Sequence, residues 1–214
     1  MMLARINLGC GRTPTPGWSN FDNSPTIRLA QLPFAVEALS WAGILNHDQL
    51  AFARVARDTA IRWADAARRI PLPDASASAA YSSHMVEHLA PGQARSFLAE
   101  VRRVLAPGGV LRLALPDLRK LAADYARDGN ADRFVNRTLL AEAPRTRARV
   151  LRTLLFGARN HAWMYDGKSL RTLLGECGYR EVVELPPGQT TIPDPGALDL
   201  REREDESVYV EGTK

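Results

Sequence analysis

The sequence predicts an α/β fold built on a doubly wound, mostly parallel sheet. Short apolar runs alternate with helical patterns along the chain, and this alternation is typical of parallel strands joined by crossover helices. The first apolar run ends at Gly9 and Gly11, and the second ends next to Asp22. Glycines after one strand and an acid after the next indicate a nucleoside site at the carboxyl edge of such a sheet.

The amino-terminal third supplies three strands and a helical insertion. Arg5–Leu8 and Ser19–Phe21 are predicted as the first two strands because they are short runs bounded by turn residues. The Ala-rich stretch Ala30–Thr59 has a helical pattern and is too long for a simple crossover, so residues 24–60 are predicted as a helical cap after strand two. Ile61–Ala64 is predicted as the third strand.

The middle of the chain predicts two strands and two helices. Ser78–Ser82 is a weak fourth strand, because it is poor in β-branched residues. Pro91–Leu105 is predicted as a helix with an apolar face, and Pro107–Gly109 is expected to stop it. Val110–Leu115 is the most apolar predicted strand, and a helix is expected from Leu118 to Arg127.

The carboxyl-terminal part predicts a last helix and two closing strands. Asp166 is positioned to cap a helix that ends at Cys177. Arg180–Leu185 and Val208–Glu211 are the predicted strands. The loop between them, Pro186–Glu206, is rich in proline and glycine.

Length and composition favour one domain over residues 1–214 in a reducing compartment. The two cysteines, Cys10 and Cys177, are too few for a disulfide framework, and no signal peptide is visible, so a cytoplasmic location is expected. No apolar run is long enough for a membrane span. The net charge of +4 is modest, and it does not indicate a nucleic-acid partner.

The order of motifs resembles that of class I S-adenosylmethionine-dependent methyltransferases. Asn7-Leu8-Gly9-Cys10-Gly11 resembles the glycine loop of that family. Arg103–Gly109 resembles the helix and turn that enter its fifth strand. Tyr81–His88 resembles the edge of strand four in a type 11-like subgroup that methylates small molecules and cell-surface glycans.

The resemblance implies a Rossmann-like, seven-stranded sheet whose last strand is antiparallel, and S-adenosyl-L-methionine as cofactor with S-adenosyl-L-homocysteine as product. Asp22 matches the acid that holds the ribose, and Asp65 with Ala66 matches the segment beside the adenine. The cofactor-binding residues expected from the resemblance are Asn7, Gly9, Cys10, Gly11, Asp22, Asp65, Ala66, Ser82 and Ser83.

Three polar residues are candidates for catalysis. His84 follows strand four and has the residue type for a general base that takes a hydroxyl proton at neutral pH. Glu87 is placed to orient its imidazole, with His88 on the same side if the segment is helical. His161, in a polar and aromatic cluster before the last helix, is the second candidate; all three could instead be structural.

The predicted function is therefore O-methylation of a small molecule or glycan intermediate. Strand four lacks the Asn/Asp-Pro-Pro-aromatic motif of enzymes that methylate nucleic-acid bases, which argues against such an acceptor. The segment 139–165 is expected to lie on the acceptor side. Its basic run from Arg145 to Arg159 has two interpretations, a solvated helix face or a dock for an anionic acceptor or a membrane surface.

Two alternatives remain open at this point. One is a scaffold or regulator that binds S-adenosylmethionine without catalysis. The other is a zinc hydrolase, because His84-x-x-Glu87-His88 fits a zinc-peptidase signature if it lies on a helix. No third ligand is indicated, so no metal ion is predicted, and the sequence predicts no oligomeric state.

Overall fold

The computed structural model describes residues 3–41, 47–140 and 160–214, and its centre is a seven-stranded sheet. The strands lie in the order β3-β2-β1-β4-β5-β7-β6. The first five in this order are parallel to one another, whereas β7 is antiparallel to both β5 and β6. This arrangement confirms the predicted fold class. The strands are β1 Ala4–Leu8, β2 Ser19–Asp22, β3 Ile61–Trp63, β4 Ala77–Ser83, β5 Leu105–Pro116, β6 Arg180–Leu185 and β7 Ser207–Thr213.

Helices cover the sheet and fill the predicted insertion between β2 and β3. The insertion contains α1, α2 and α3. Among the described residues we find no helix with the length and hydropathy required to span a bilayer. The helices are α1 Pro25–Ala30, α2 Pro33–Trp41, α3 His47–Asp58, α4 Pro91–Val104, α5 Leu118–Asp128, α6 Ala131–Thr138 and α7 Gly167–Glu176, with a single 3-10 turn at Val86–His88.

The main core lies between the parallel strands and the helices on one face of the sheet. Phe97 and Val101 of α4 are fully buried, as the periodicity of that helix predicts. They belong to one apolar cluster with Ile6 of β1 and Leu111 and Leu113 of β5. Burying a side chain of this size stabilises the fold by about 1.5–3 kcal/mol. The packing of α4 on β1 and β5 therefore holds the helix and these strands together.

The loop before β7 covers the other face of the sheet through a buried ion pair. Arg112 of β5 and Glu211 of β7 are almost completely buried, and Nη1 of the arginine lies 2.8 Å from Oε1 of the glutamate. Arg112 also donates to the main-chain oxygens of Gln189 and Leu200. These bonds hold the proline-rich segment against the sheet.

The structure differs from the predicted elements in the strand that follows α4. β5 begins at Leu105 and includes the segment Pro107–Gly109, which was expected to be only a turn. The register changes there, because Leu105 pairs with Ala77 whereas Val110 pairs with Ala79. The extra residues of β5 are accommodated by this irregularity. A further helix, α6, was not predicted.

Candidate functional site

The loop after β1 is held against the end of β2 by main-chain hydrogen bonds. Gly9 and Gly11 both have positive φ angles, a conformation that L-residues with a side chain adopt only with strain. The amides of Gly9 and Cys10 donate to the oxygen of Phe21 at 2.8 and 3.1 Å. A Cβ on Gly9 would lie 2.6 Å from Cγ of Met85, so the glycine also allows the loop to approach the segment after β4 closely.

Asp22 ends β2 and faces this loop. Its carboxylate accepts hydrogen bonds from the amides of Gly11, at 3.0 Å, and Ser24, at 2.8 Å. Burial raises the pKa of Asp22, and the two amides oppose that shift. A carboxylate has about four acceptor sites, so sites remain for two hydroxyl groups. A Cβ on Gly11 would meet no described atom within 4 Å, which leaves open space beside the carboxylate.

Asn7 and Cys10 stabilise the loop, the first by hydrogen bonds and the second by packing. Asn7 is buried, and its amide donates to Oγ1 of Thr15 at 3.0 Å and to the main-chain oxygen of Thr13. The Cys10 side chain packs in an apolar cluster with Ile27, Phe52 and Ile61. Burial raises the pKa of the Cys10 thiol far above its ordinary value, and the charge of Asp22 adds to that shift, so the thiol is not reactive.

Asp65 and Ala66 follow β3, at the same edge of the sheet. Asp65 opens a tight turn in which Oδ1 accepts from the amide of Ala67 at 3.2 Å, and its Oδ2 lies 3.3 Å from Nε of Arg68. Ala66 is buried in the main core. Both residues thus lie one strand beyond Asp22, where the resemblance expects the adenine.

The end of β4 brings polar residues to the centre of the same edge. Ser82 is 1% exposed, and its hydroxyl has no hydrogen-bond partner among the described residues. Ser83 ends the strand. His84 follows with a φ of 46°, and its amide donates to the oxygen of Ala114 on β5. A non-glycine residue in the left-handed region is strained, and such residues cluster at functional sites.

The imidazole of His84 has contacts on both nitrogens. Its Nε2 lies 2.9 Å from Oγ of Ser207, and its Nδ1 lies 3.3 Å from Nη1 of Arg203 and 3.5 Å from Oε1 of Glu87. Because a guanidinium group only donates, the contact with Arg203 assigns the lone pair to Nδ1. The hydrogen on Nε2 then points to the serine hydroxyl.

The residues after His84 do not form the helix on which the zinc-peptidase alternative depends. His84 lies outside any helix, and only Val86–His88 forms a single 3-10 turn. His84 and His88 therefore do not share a helical face, and the arrangement of two zinc ligands that the alternative requires does not form. The strained backbone at His84 turns its side chain toward β7 instead.

Glu87 connects this turn to the segment before α7. Its main-chain oxygen accepts from the amides of Ala162 and Trp163 at 2.7 and 3.1 Å. This pairing brings Nε2 of His161 to 3.9 Å from Oε1 of Glu87. Glu87 is 1% exposed and His161 is 8% exposed. Burial lowers the pKa of His161, although the nearby carboxylate opposes the shift.

The structure thus brings the three catalytic candidates, His84, Glu87 and His161, to one place at the edge of β4. His88 was treated as a minor neighbour of Glu87 in the sequence, but its ring lies edge-on against that of His161 with centroids 5.1 Å apart. Ser207 and Arg203 were not predicted as site residues, because no motif marks the start of β7. The Arg145–Arg159 run lies outside the described residues.

Known proteins share the fold of this chain. A family of methyltransferase domains matches residues 32–113. S-adenosylmethionine-dependent methyltransferases from Thermotoga maritima and Methanosarcina mazei align over 100% of this chain and over 83% and 94% of theirs. Their identities to this chain are 17% and 14%, and the TM-score is 0.53 for each.

A third similar structure is that of a Haloferax volcanii complex between a methyltransferase activator and its partner protein. The matched chain of that complex is 15% identical to this one, with a TM-score of 0.51. The alignment covers 99% of this chain and 81% of the matched chain. At these identities the structures show a shared fold. No curated protein matches the chain.

Proposed function

We propose that this chain is a class I S-adenosylmethionine-dependent methyltransferase and that it methylates a hydroxyl oxygen of a small molecule or glycan intermediate. The observation that carries the proposal is the buried Glu87 carboxylate, which lies 3.5 Å from a ring nitrogen of His84 and 3.9 Å from one of His161. A hydroxyl group must lose its proton when it is methylated. An imidazole backed by a carboxylate supplies a base for that proton.

The amino-terminal loop fits the adenosyl part of the cofactor. Asp22 retains acceptor sites for two ribose hydroxyls, and the space beside Gly11 is open. Gly9 and Gly11 would let the main chain approach the bound nucleoside, and Asp65 would border its base. When it is bound there, S-adenosylmethionine supplies a methyl group already activated by a positively charged sulfur.

His84 is proposed as the base. The lone pair on its Nδ1 would take the proton, and the exposed Arg203 guanidinium now occupies the position next to that nitrogen. The resulting imidazolium would carry its new hydrogen on Nδ1, which lies 3.5 Å from Oε1 of Glu87. The negative charge of that carboxylate would stabilise the imidazolium. His161, which burial keeps neutral, would contact the acceptor.

Alignment of the acceptor is the other contribution of the protein. Holding an oxygen in line with a reacting methyl group can lower the barrier by about 7–11 kcal/mol. The exposed ring of Trp163 follows His161 directly, and Trp163 is tied to Glu87 through its amide. We propose that it forms part of the wall against which a sugar or aromatic acceptor packs.

The test is methyl transfer to a panel of hydroxyl and amine acceptors, with His84→Gln as the main variant. Its kcat should fall about 10²–10⁴-fold, while calorimetry should show unchanged affinity for S-adenosylmethionine. His47→Gln is the control, because His47 is exposed at the start of α3. Full activity of His84→Gln would remove it as the base. Tight cofactor binding without transfer to any acceptor would favour a non-catalytic scaffold.

The basic run supports an anionic acceptor as a refinement of this function. The sequence between Glu142 and Arg159 contains no acidic residue, and it includes Arg145, Arg147 and Arg149. Replacing these three arginines with glutamine should raise KM for a phosphorylated or carboxylated acceptor and leave KM for its neutral analogue unchanged. Equal effects on both acceptors would contradict the refinement.

A further inference from the structure

Glu87 carries a buried charge without a matching hydrogen bond. The residue is 1% exposed, and neither of its carboxylate oxygens has a hydrogen-bond partner among the residues that the structure describes. Isolated buried carboxylates are strongly unfavourable, so buried charges in proteins are paired or they coordinate metal ions. The groups around this carboxylate decide which of these applies.

Two imidazoles point ring nitrogens into the same space. One ligand atom each from Glu87, His88 and His161 can be chosen so that all three lie within 4.8 Å of one another. The nearest measured pair is Oε1 of Glu87 and Nε2 of His161, at 3.9 Å. The three groups come from two segments that the hydrogen bonds of Glu87 to Ala162 and Trp163 fasten together.

Nδ1 of His88 and Nδ1 of His161 each already have a partner, and these partners indicate the tautomer of each ring. Nδ1 of His88 lies 3.0 Å from the main-chain oxygen of Asn160, which only accepts, so Nδ1 carries the hydrogen. Nδ1 of His161 lies 3.3 Å from Sδ of Met164, a weak acceptor. Nε2 of His88 is therefore left with a lone pair, and placing the hydrogen of His161 on Nδ1 leaves a lone pair on its Nε2 as well. At 3.9 Å, Nε2 of His161 and Oε1 of Glu87 are too far apart for a hydrogen bond.

We propose that Glu87, His88 and His161 bind a divalent transition-metal ion. Two imidazole nitrogens and one carboxylate oxygen form a ligand set that suits zinc and its neighbours rather than magnesium or calcium. Tetrahedral ligand atoms at about 2.0–2.1 Å from zinc lie roughly 3.4 Å apart, so the side chains need to close by about an ångström. Three protein ligands would leave one tetrahedral position for water or another ligand.

This site is distinct from the zinc-peptidase signature. That signature uses His84, whose Nε2 faces Ser207 and whose Nδ1, although 3.5 Å from Glu87, also lies 3.3 Å from the Arg203 guanidinium. The proposed set replaces His84 with His161, from a segment far away in the sequence. The proposal concerns cation binding by the protein alone, so it can succeed or fail independently of the proposed methyl transfer.

The experiment uses untagged, chelator-treated protein, because a histidine tag would add ligands to the four histidines of the chain. Calorimetry with Zn²⁺ should show one equivalent bound, and Co²⁺ should give the visible absorption of a site with nitrogen ligands. His88→Ala, His161→Ala and Glu87→Gln should each weaken binding by at least the roughly 10–100-fold that loss of an outer-shell partner costs. His47→Ala and His84→Ala should bind like the unmodified protein.

Several results would overturn the proposal. These are no stoichiometric uptake of Zn²⁺ or Co²⁺ by folded protein, unchanged affinity in both His88→Ala and His161→Ala, and loss of the site in His84→Ala. Circular dichroism of each variant separates loss of a ligand from loss of the fold. The Co²⁺ spectrum of the unmodified protein stands as evidence even if a variant does not fold.

Discussion

Replacing Asp22 with asparagine would separate the charge of this residue from its shape. The carboxylate lies between the amides of Gly11 and Ser24, and it is the group proposed to hold the ribose. Asparagine fills the same space but keeps only one acceptor oxygen. The side-chain nitrogen of the asparagine must therefore face either a main-chain amide, which needs an acceptor, or a ribose hydroxyl, which then loses its acceptor.

The loss of cofactor affinity can be estimated from these contacts. A hydrogen bond to a charged group contributes about 1.5–3 kcal/mol, whereas a neutral one contributes about 0.5–1.5 kcal/mol. Two ribose hydroxyls on the carboxylate would each lose about 1 kcal/mol, and one of them also loses its acceptor. The expected cost is about 2–4 kcal/mol, which corresponds to a 30-fold to 1000-fold weaker Kd.

The pH dependence gives a second signature of the same carboxylate. Because burial raises the pKa of Asp22 in the folded protein, the unfolded chain ionises first. The contribution of Asp22 to stability is then fully present below the unfolded pKa of about 3.9 and is lost as the pH rises through the folded pKa. Ribose hydroxyls that donate to the ionised Asp22 carboxylate stabilise it and oppose the effect of burial. Cofactor affinity should therefore increase with pH over the same interval.

Isothermal titration with S-adenosylhomocysteine between pH 4 and pH 8 measures both effects. The unmodified protein should bind more weakly toward acid, and Asp22→Asn should bind weakly with a nearly flat pH profile. Asp58→Asn is the matched control, because it removes an exposed carboxylate at the end of α3 with the same change of charge. An Asp22→Asn protein that is folded and binds as tightly as the unmodified protein would refute the ribose assignment.

Two further predictions concern the glycine loop and the buried ion pair. Gly11→Ala should lower the free energy of unfolding by about 1–2 kcal/mol because its φ is positive, and Gly9→Ala should lower it further because its Cβ would also lie 2.6 Å from Cγ of Met85. Gly11→Ala should also weaken S-adenosylhomocysteine binding by blocking open space, and equal affinity in calorimetry would argue against cofactor contact there. Arg112→Leu should destabilise the protein by about 3–5 kcal/mol in urea denaturation, because it leaves Glu211 charged and buried. Adding Glu211→Leu should recover part of that loss, and purely additive effects would contradict the ion-pair explanation.

The parts of the fold that depend on local patterns could be predicted from the sequence. The apolar face of α4 recurs at helical spacing, and the cap at Asp166 lies where the sequence placed it, with its Oδ1 accepting from the amide of Ser169. The antiparallel β7 was expected from the resemblance to a known family. These features need only neighbours in the sequence or a shared order of motifs.

The parts that depend on pairing between distant segments could not be predicted. β5 includes Pro107–Gly109 because the end of the chain lies beside it, where the amide of Lys214 donates to the oxygen of Gly109. No local pattern marks a strand that contains a proline and two glycines. The same is true of the left-handed φ at His84, which the sequence gives no reason to expect and which decides where its imidazole points.

The candidate site shows why long-range pairing matters more for the chemistry than for the fold. His88 and Asn160 are 72 positions apart, yet a single hydrogen bond between them sets the tautomer of one imidazole. The sequence could nominate His84, Glu87 and His161 separately as residue types suited to proton transfer. Only the contacts show that Nδ1 of His84 and Nε2 of His161 both approach Oε1 of Glu87, at 3.5 and 3.9 Å, and that Nδ1 of His84 also lies 3.3 Å from Nη1 of Arg203. Because a base and a metal ligand both need a lone pair, the guanidinium beside Nδ1 of His84 is the feature that distinguishes the base proposed at His84 from the metal ligand proposed at His161.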